Sequence, residues 1–106
     1  MSTHSKGYRR ERQCREELEK DGYLTDIKNW SKFSTKDFYN MFDVVAVKGD
    51  EVLWVQVKSN KSGFYSARKE IQLWLEENNL AIRCQVWLKE NNKPWRISDV
   101  TSTGYS

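Results

Sequence analysis

Two apolar, β-branched runs meeting at Gly49-Asp50, together FDVVAVKGDEVLWVQVK over residues 42–58, constrain this chain more than any other segment. Branched side chains on both arms and a Gly-Asp pair between them predict a β-hairpin with a tight turn. With residues 49 and 50 as the loop, Lys48 pairs with Glu51, and the register runs back until Asp43 lies across from Gln56. Lys58 then stands two residues further along on the same face. A carboxylate, an amide and an ammonium at one sheet end can bind a divalent cation, orient a water and stabilise charge on phosphate. A strand ending in Gln-Val-Lys-Ser is also what a solvated strand terminus looks like, so the hairpin by itself carries both readings.

The preceding stretch, KGYRRERQCREELEKD over residues 6–21, reads as a helix closed by Gly22 in a left-handed position. Its non-polar residues are Tyr8, Cys14 and Leu18, which sets the buried stripe at 8, 11, 14 or 15, and 18. Glu11 falls in that stripe, whereas Glu16, Glu17, Glu19 and Asp21 lie mostly off it, solvated or paired with Lys20 and the arginines. A carboxylate facing a core is costly without a partner, and a metal or lysine at a neighbouring sheet end supplies one. The competing reading sets Glu11 at the edge of the stripe, near a helix N-terminus whose dipole favours acids.

Lys6-Gly7, then Glu11 on a helix, then Asp43-Val44-Val45-Ala46, then Gln56-Val57-Lys58-Ser59 form an ordered set that resembles the archaeal-type Holliday junction resolvases of the PD-(D/E)xK nuclease superfamily. Gln72 and Trp95-Arg96 stand where that family has a Gln in its second helix and a Trp-Arg near its last strand. The resemblance implies an α/β fold with a restriction endonuclease-like core, a central mixed β-sheet of about five strands flanked by two helices. It implies catalytic roles for Glu11, Asp43, Gln56 and Lys58, together with a serine of the loop before the Asp strand, Ser34 or Ser31. Glu11, Asp43, Gln56 and the Val57 carbonyl would be the metal ligands, with Mg²⁺ as the cofactor and Mn²⁺ as a possible substitute. Phe42 departs from the family's usual proline, which affects local rigidity more than chemistry. Gln56 replaces the usual acid, removing one negative charge while keeping a carbonyl oxygen able to bind a hard cation.

Length and charge bound the alternatives. The 106 residues suit a single domain, 1–106, with residues 1–5 and 99–106 expected as flexible tails, and at this size dimerisation would help bury apolar surface. A formal charge of +3 is only mildly basic, so its distribution matters more than its size. Lys6, Arg9, Arg10, Arg12 and Arg15 crowd the first helix, and Lys28, Lys32 and Lys36 lie around the following loop. Such clusters neutralise phosphates and make binding salt-dependent, although a basic helix can also be no more than a solvated face. Lys6, Arg9, Arg10, Lys32, Lys36 and Gln72 are the expected DNA contacts. Cys14 and Cys84 lie outside any CxxC pair, which disfavours zinc and redox chemistry and leaves a single disulfide open. His4, the one histidine, sits in the N-terminal segment, away from any pattern for His-based catalysis. With no signal-peptide pattern or long apolar span, a soluble cytoplasmic protein is expected.

Other segments read as scaffold. Residues 23–30 suit a first strand, and residues 31–41, SKFSTKDFYNM, are a connection long enough to bind a ligand or to be packed by Phe33, Phe38 and Tyr39. Gly63 breaks the pattern over residues 59–65, so Ser66 is the expected N-cap of a second helix from Ala67 to Asn78. That helix carries Ala67, Ile71, Trp74 and Leu75 on one face, with Gln72 beside it. Residues 81–88 alternate, Ile82, Cys84, Val86 and Leu88 against Arg83, Gln85 and Trp87, as in a strand covered on both sides. A turn at residues 90–94 leads to a short strand at Trp95-Arg96-Ile97 and a loose polar tail from Ser98. Trp54, Trp74 and Trp87 suit packing more than base stacking, and Trp30 and Trp95 suit an interface. The expected activity is a Mg²⁺-dependent endodeoxyribonuclease acting on branched DNA, such as four-way junctions, as a homodimer. A restriction-like, repair or mobile-element nuclease of the same fold, or a catalytically weak DNA-binding module, are the alternatives.

Overall fold

The computed structural model describes the backbone of residues 3–27 and 41–106, and the side chains of residues 9–26 and 41–106. Its elements are α1 (Thr3–Lys20), β1 (Leu24–Ile27), β2 (Val44–Lys48), β3 (Glu51–Lys58), α2 (Lys61–Glu77), β4 (Arg83–Leu88), β5 (Arg96–Thr101) and β6 (Gly104–Tyr105). The strands form one six-stranded mixed sheet in chain order. β3 and β4 run parallel and are joined through α2, while the other neighbours are antiparallel. Neither described helix is long and apolar enough to cross a membrane.

The central hairpin has the register that the Gly-Asp turn predicts. Lys48 pairs with Glu51 and Val44 with Val55, and Gly49 takes φ +63° at the turn, a conformation that suits glycine. α1 ends as Gly22 foretells. The Gly22 N–H donates to the Glu19 carbonyl at 3.1 Å and the Tyr23 N–H to the Leu18 carbonyl at 3.1 Å, with Gly22 at φ +92°. Lys48 reinforces this end by donating from Nζ to the Asp21 carbonyl at 2.6 Å.

Each helix covers one face of the sheet. On one side Cys14 and Leu18 of α1 pack with Val44, Ala46, Leu53, Val55 and Trp87. On the other, Phe64, Ala67, Ile71 and Leu75 of α2 pack with Phe42, Cys84, Val86, Leu88 and Val100. β4 is therefore buried on both faces, as its alternation predicts, with Cys84, Val86 and Leu88 facing one helix and Trp87 the other. Cys14 and Cys84 are free thiols in different clusters. Trp95 is half-buried and packs its ring edge-on against Trp87 at 5.2 Å.

Two expectations about boundaries are corrected. α2 begins at Lys61, not at Ala67, because Asn60 is the N-cap and its side-chain oxygen accepts from the Gly63 N–H at 2.7 Å. The earlier start adds Phe64, fully buried, to the apolar stripe one turn ahead of Ala67. The tail expected to be loose from Ser98 is ordered sheet, and β6 makes the strand count six where about five were expected. Ser98 and Val100 are buried on alternate positions, and the Ser106 N–H returns to the Asp99 carbonyl at 3.1 Å. The segment is polar because its other residues face outward, which is why composition alone reads it as coil. Residues 28–40, including Trp30, Ser31, Lys32, Ser34 and Lys36, lie outside the described residues.

Ile71 is fully buried at the centre of the α2 cluster. Ile71→Ala is expected to lower unfolding free energy by about 2–5 kcal/mol, read from the urea midpoint at constant m-value.

Candidate functional site

Asp43 immediately precedes β2, at the end of the sheet where β3 terminates. Its N–H donates to the Val55 carbonyl at 2.9 Å, and its Oδ2 accepts from the Val57 N–H at 2.9 Å. The ladder thus closes at Val44 opposite Val55, and the Asp43 carboxylate takes the next rung on β3. A charge-assisted bond to a backbone donor fixes the carboxylate at the sheet rim between Gln56 and Lys58. Phe42 packs with the α2 cluster and Val44 with the α1 cluster, so the chain changes face at Asp43.

Glu11 is carried by α1, on the helix stripe that faces the sheet. It is 4% exposed, and both Glu11 and Asp43 act electrostatically on the buried Cys14 thiol. The stripe reading of the helix therefore holds over the solvated-edge reading. Gln56 and Lys58 approach from the other face. Alternation along β3 puts Leu53, Val55 and Val57 toward α1, and Trp54, Gln56 and Lys58 toward α2. The Lys58 stem lies against the first turn of α2, where a Cβ on Gly63 would stand 3.2 Å from Lys58 Cδ. The expected single-face cluster is thus a rim approached from two sides, with Asp43 at the crossing.

Gln56 Oε1 is buried and has no hydrogen-bond partner among the described residues. An orphaned carbonyl oxygen beside a pinned carboxylate fits a hard cation, which takes oxygen ligands. Among the described residues no group of three or more His, Cys, Asp or Glu side chains could hold a metal. The residues that would hold such a cation are Glu11, Asp43, Gln56 through its amide oxygen, and Val57 through its carbonyl. Mg²⁺ suits such a set, because it binds through one or two carboxylates and retains waters.

Among the expected DNA contacts, Arg9 is exposed on α1. Arg10 is corrected: it is 6% exposed, donating from Nη1 to Gln13 Oε1 at 2.9 Å and from Nη2 to Asn91 Oδ1 at 2.7 Å. It ties α1 to the turn after β4 and presents no charge to solvent. Lys6 lies on the described backbone of α1, its side chain outside the described set, as are Lys32, Lys36 and Ser34. Gln72 is not near Lys58. It lines a cleft of about 450 Å³ with Leu75, Glu76, Asn79, Ser102 and Thr103, roughly 13 Å along the helix from Gly63.

A cluster that the sequence reading did not single out lies over the first half of α2. Arg68 and Arg96 stack on the rings of Phe64 and Tyr65, and Arg68 also on Tyr105. Starting the helix at Lys61 would have revealed it, since positions 61, 65, 68 and 72 then share a side.

The two thiols offer a check on the packing of the two cores. Burial, then the charges of Asp43 and Glu11, push the Cys14 thiol far up, and burial pushes Cys84 up to about 12. Unfolded thiols ionise near pH 8.5, so both groups stabilise the folded state below that pH and this stabilisation is lost as pH rises above it. Native protein at pH 8 is expected to resist a thiol-specific disulfide reagent, and denatured protein to release two equivalents.

No family model matches the chain, and no curated protein matches it. Among solved structures it is similar to Hjc of Archaeoglobus fulgidus, a Holliday junction resolvase from an archaeal hyperthermophile, at a TM-score of 0.59. The two share 23% sequence identity over 87% of this chain and 70% of that one. At that identity the likeness is one of fold: a mixed α/β domain with two helices on a six-stranded sheet, similar to the archaeal resolvase.

Proposed function

We propose that this chain is a metal-dependent endodeoxyribonuclease that cleaves branched DNA, a Holliday junction resolvase-like enzyme with a PD-(D/E)xK site on a restriction endonuclease-like core. The observation that carries this reading is the rim itself. Asp43 is bonded to the β3 backbone between Gln56, whose buried carbonyl oxygen lacks a partner among the described residues, and Lys58. The likeness in fold to a protein described as a Holliday junction resolvase supports it.

In this reading Glu11 and Asp43 supply the anionic oxygens for Mg²⁺ or Mn²⁺, and Gln56 and the Val57 carbonyl supply neutral ones. The ion, when bound, would stabilise negative charge on the phosphate and make water more acidic. The Val57 N–H holds the Asp43 carboxylate in place, so its rotamer is fixed by the β3 backbone. Lys58, its stem supported by Gly63, positions or deprotonates the attacking water and offsets charge in the transition state. Arg9, with Lys6, Lys32 and Lys36, would neutralise backbone phosphates, so recognition would follow DNA shape more than sequence. A homodimer would suit paired cuts across a four-way junction, because two-fold symmetry presents two equivalent sites.

Asp43→Asn should lower Mg²⁺-dependent cleavage of a labelled four-way junction by roughly a hundredfold or more while leaving junction affinity near the parent's. Normal cutting by that variant would place the chemistry elsewhere. Gln56→Glu restores a ligand charge and should lower the Mg²⁺ concentration for half-maximal cleavage, on the order of tenfold. An unchanged requirement would remove Gln56 from the ligand set.

A further inference from the structure

The arginines over the start of α2 are held differently from three arginines elsewhere on the surface. Arg12, Arg15 and Arg83 each pair with a carboxylate, of Glu16, Glu19 and Glu51 respectively. Arg68 and Arg96 have no ion pair among the described residues and are held by rings instead. The Arg68 Cζ lies 4.8 Å from the Phe64 ring centre and 4.3 Å from that of Tyr105, and the Arg96 Cζ lies 4.8 Å from that of Phe64. Arg96 Nη1 also donates to the Tyr65 hydroxyl at 3.4 Å. Stacking fixes a guanidinium without neutralising it, which leaves full positive charge for a ligand. The local field shows at Tyr65, whose hydroxyl is lowered from its ordinary pKa by the Arg96 hydrogen bond, then by the charges of Arg96, Lys61 and Arg68.

This cluster is continuous with the candidate site. Lys58 pairs with Leu88 and Leu88 with Arg96, so Arg96 stands two strands from Lys58 along the same rim, roughly 10 Å away. Along α2, Lys61, Tyr65, Arg68 and Gln72 share one side and span roughly 16 Å. We propose that Lys61, Arg68 and Arg96, steadied by Tyr65 and Tyr105, form a track for the sugar-phosphate backbone of a DNA duplex arm leading away from Lys58. The track rests on the DNA-cleaving reading above and adds to it the path of one arm. Its contacts are to phosphate, so it carries no base preference.

Fluorescence anisotropy with a labelled four-way junction in EDTA, over a KCl series, tests it. Replacing Arg68 and Arg96 together by Gln is expected to weaken binding and to flatten the slope of log K against log salt by about two, at roughly 0.9 per phosphate contact. The Arg68→Lys, Arg96→Lys pair keeps both charges and retains the slope, and Arg83→Gln leaves it unchanged. Should the Gln pair fail to fold by circular dichroism, Arg96→Gln alone is expected to flatten the slope by about one. A folded Gln variant with the parental slope overturns the track, as does a Lys pair that loses as much slope as the Gln pair. If the parent still cuts the junction with Mg²⁺ while the slope is unmoved, the track alone fails. If the parent binds no DNA, both readings fail.

Discussion

The hydrogen bond from the Val57 N–H to Asp43 Oδ2 is the constraint through which the fold becomes a site. It exists because the Gly49-Asp50 turn fixes the hairpin register, which brings residue 43 level with the end of β3. A shift of one residue would set Asp43 level with Val55 or Val57 and turn the apolar residues of that strand to the wrong face. Burial of Val44, Ala46, Leu53 and Val55 against α1 forbids that shift. The same packing that stabilises the sheet therefore places the carboxylate.

Around that bond the rim is assembled from opposite faces. Glu11 comes from α1, and Gln56 and Lys58 face α2, so the proposed site would draw on both faces of the sheet. Arg10 locks α1 to the turn after β4, which fixes the helix position from which Glu11 projects. A buried acid in this place is costly unless charge or hydrogen bonds offset it, and it is retained on a helix whose apolar stripe is otherwise short. In the proposed site an amide at Gln56 would reduce repulsion among the ligands, at the expense of attraction for a cation.

Much of this was legible in the sequence because it depended on local rules. Hairpin register followed from turn chemistry, the end of α1 from Gly22, and the double burial of β4 from its alternation. What failed depended on contacts distant in sequence. Asn60 was overlooked as a cap because Gly63 reads as a break, yet in the first turn of α2 glycine leaves room for the Lys58 stem. β6 was invisible because a two-residue strand has no period of its own and is held by β5. Arg10 counted as a surface cation until Asn91, 81 residues away, became its partner. Separation of the site residues onto two faces was missed because the chain crosses the sheet plane at Asp43, and strict alternation conceals such a crossing.

Substoichiometric Mn²⁺ added to ¹⁵N-labelled protein tests the rim most directly, since paramagnetic broadening reports where a cation rests without requiring turnover. Amide signals of Glu11, Asp43, Val57 and Lys58 should broaden first, those of Ser102 and Thr103 at the far cleft should stay sharp, and Asp43→Asn should abolish the effect. Broadening centred elsewhere, or unchanged in that variant, would contradict a cation site at the junction of α1 with the open end of the β2–β3 hairpin.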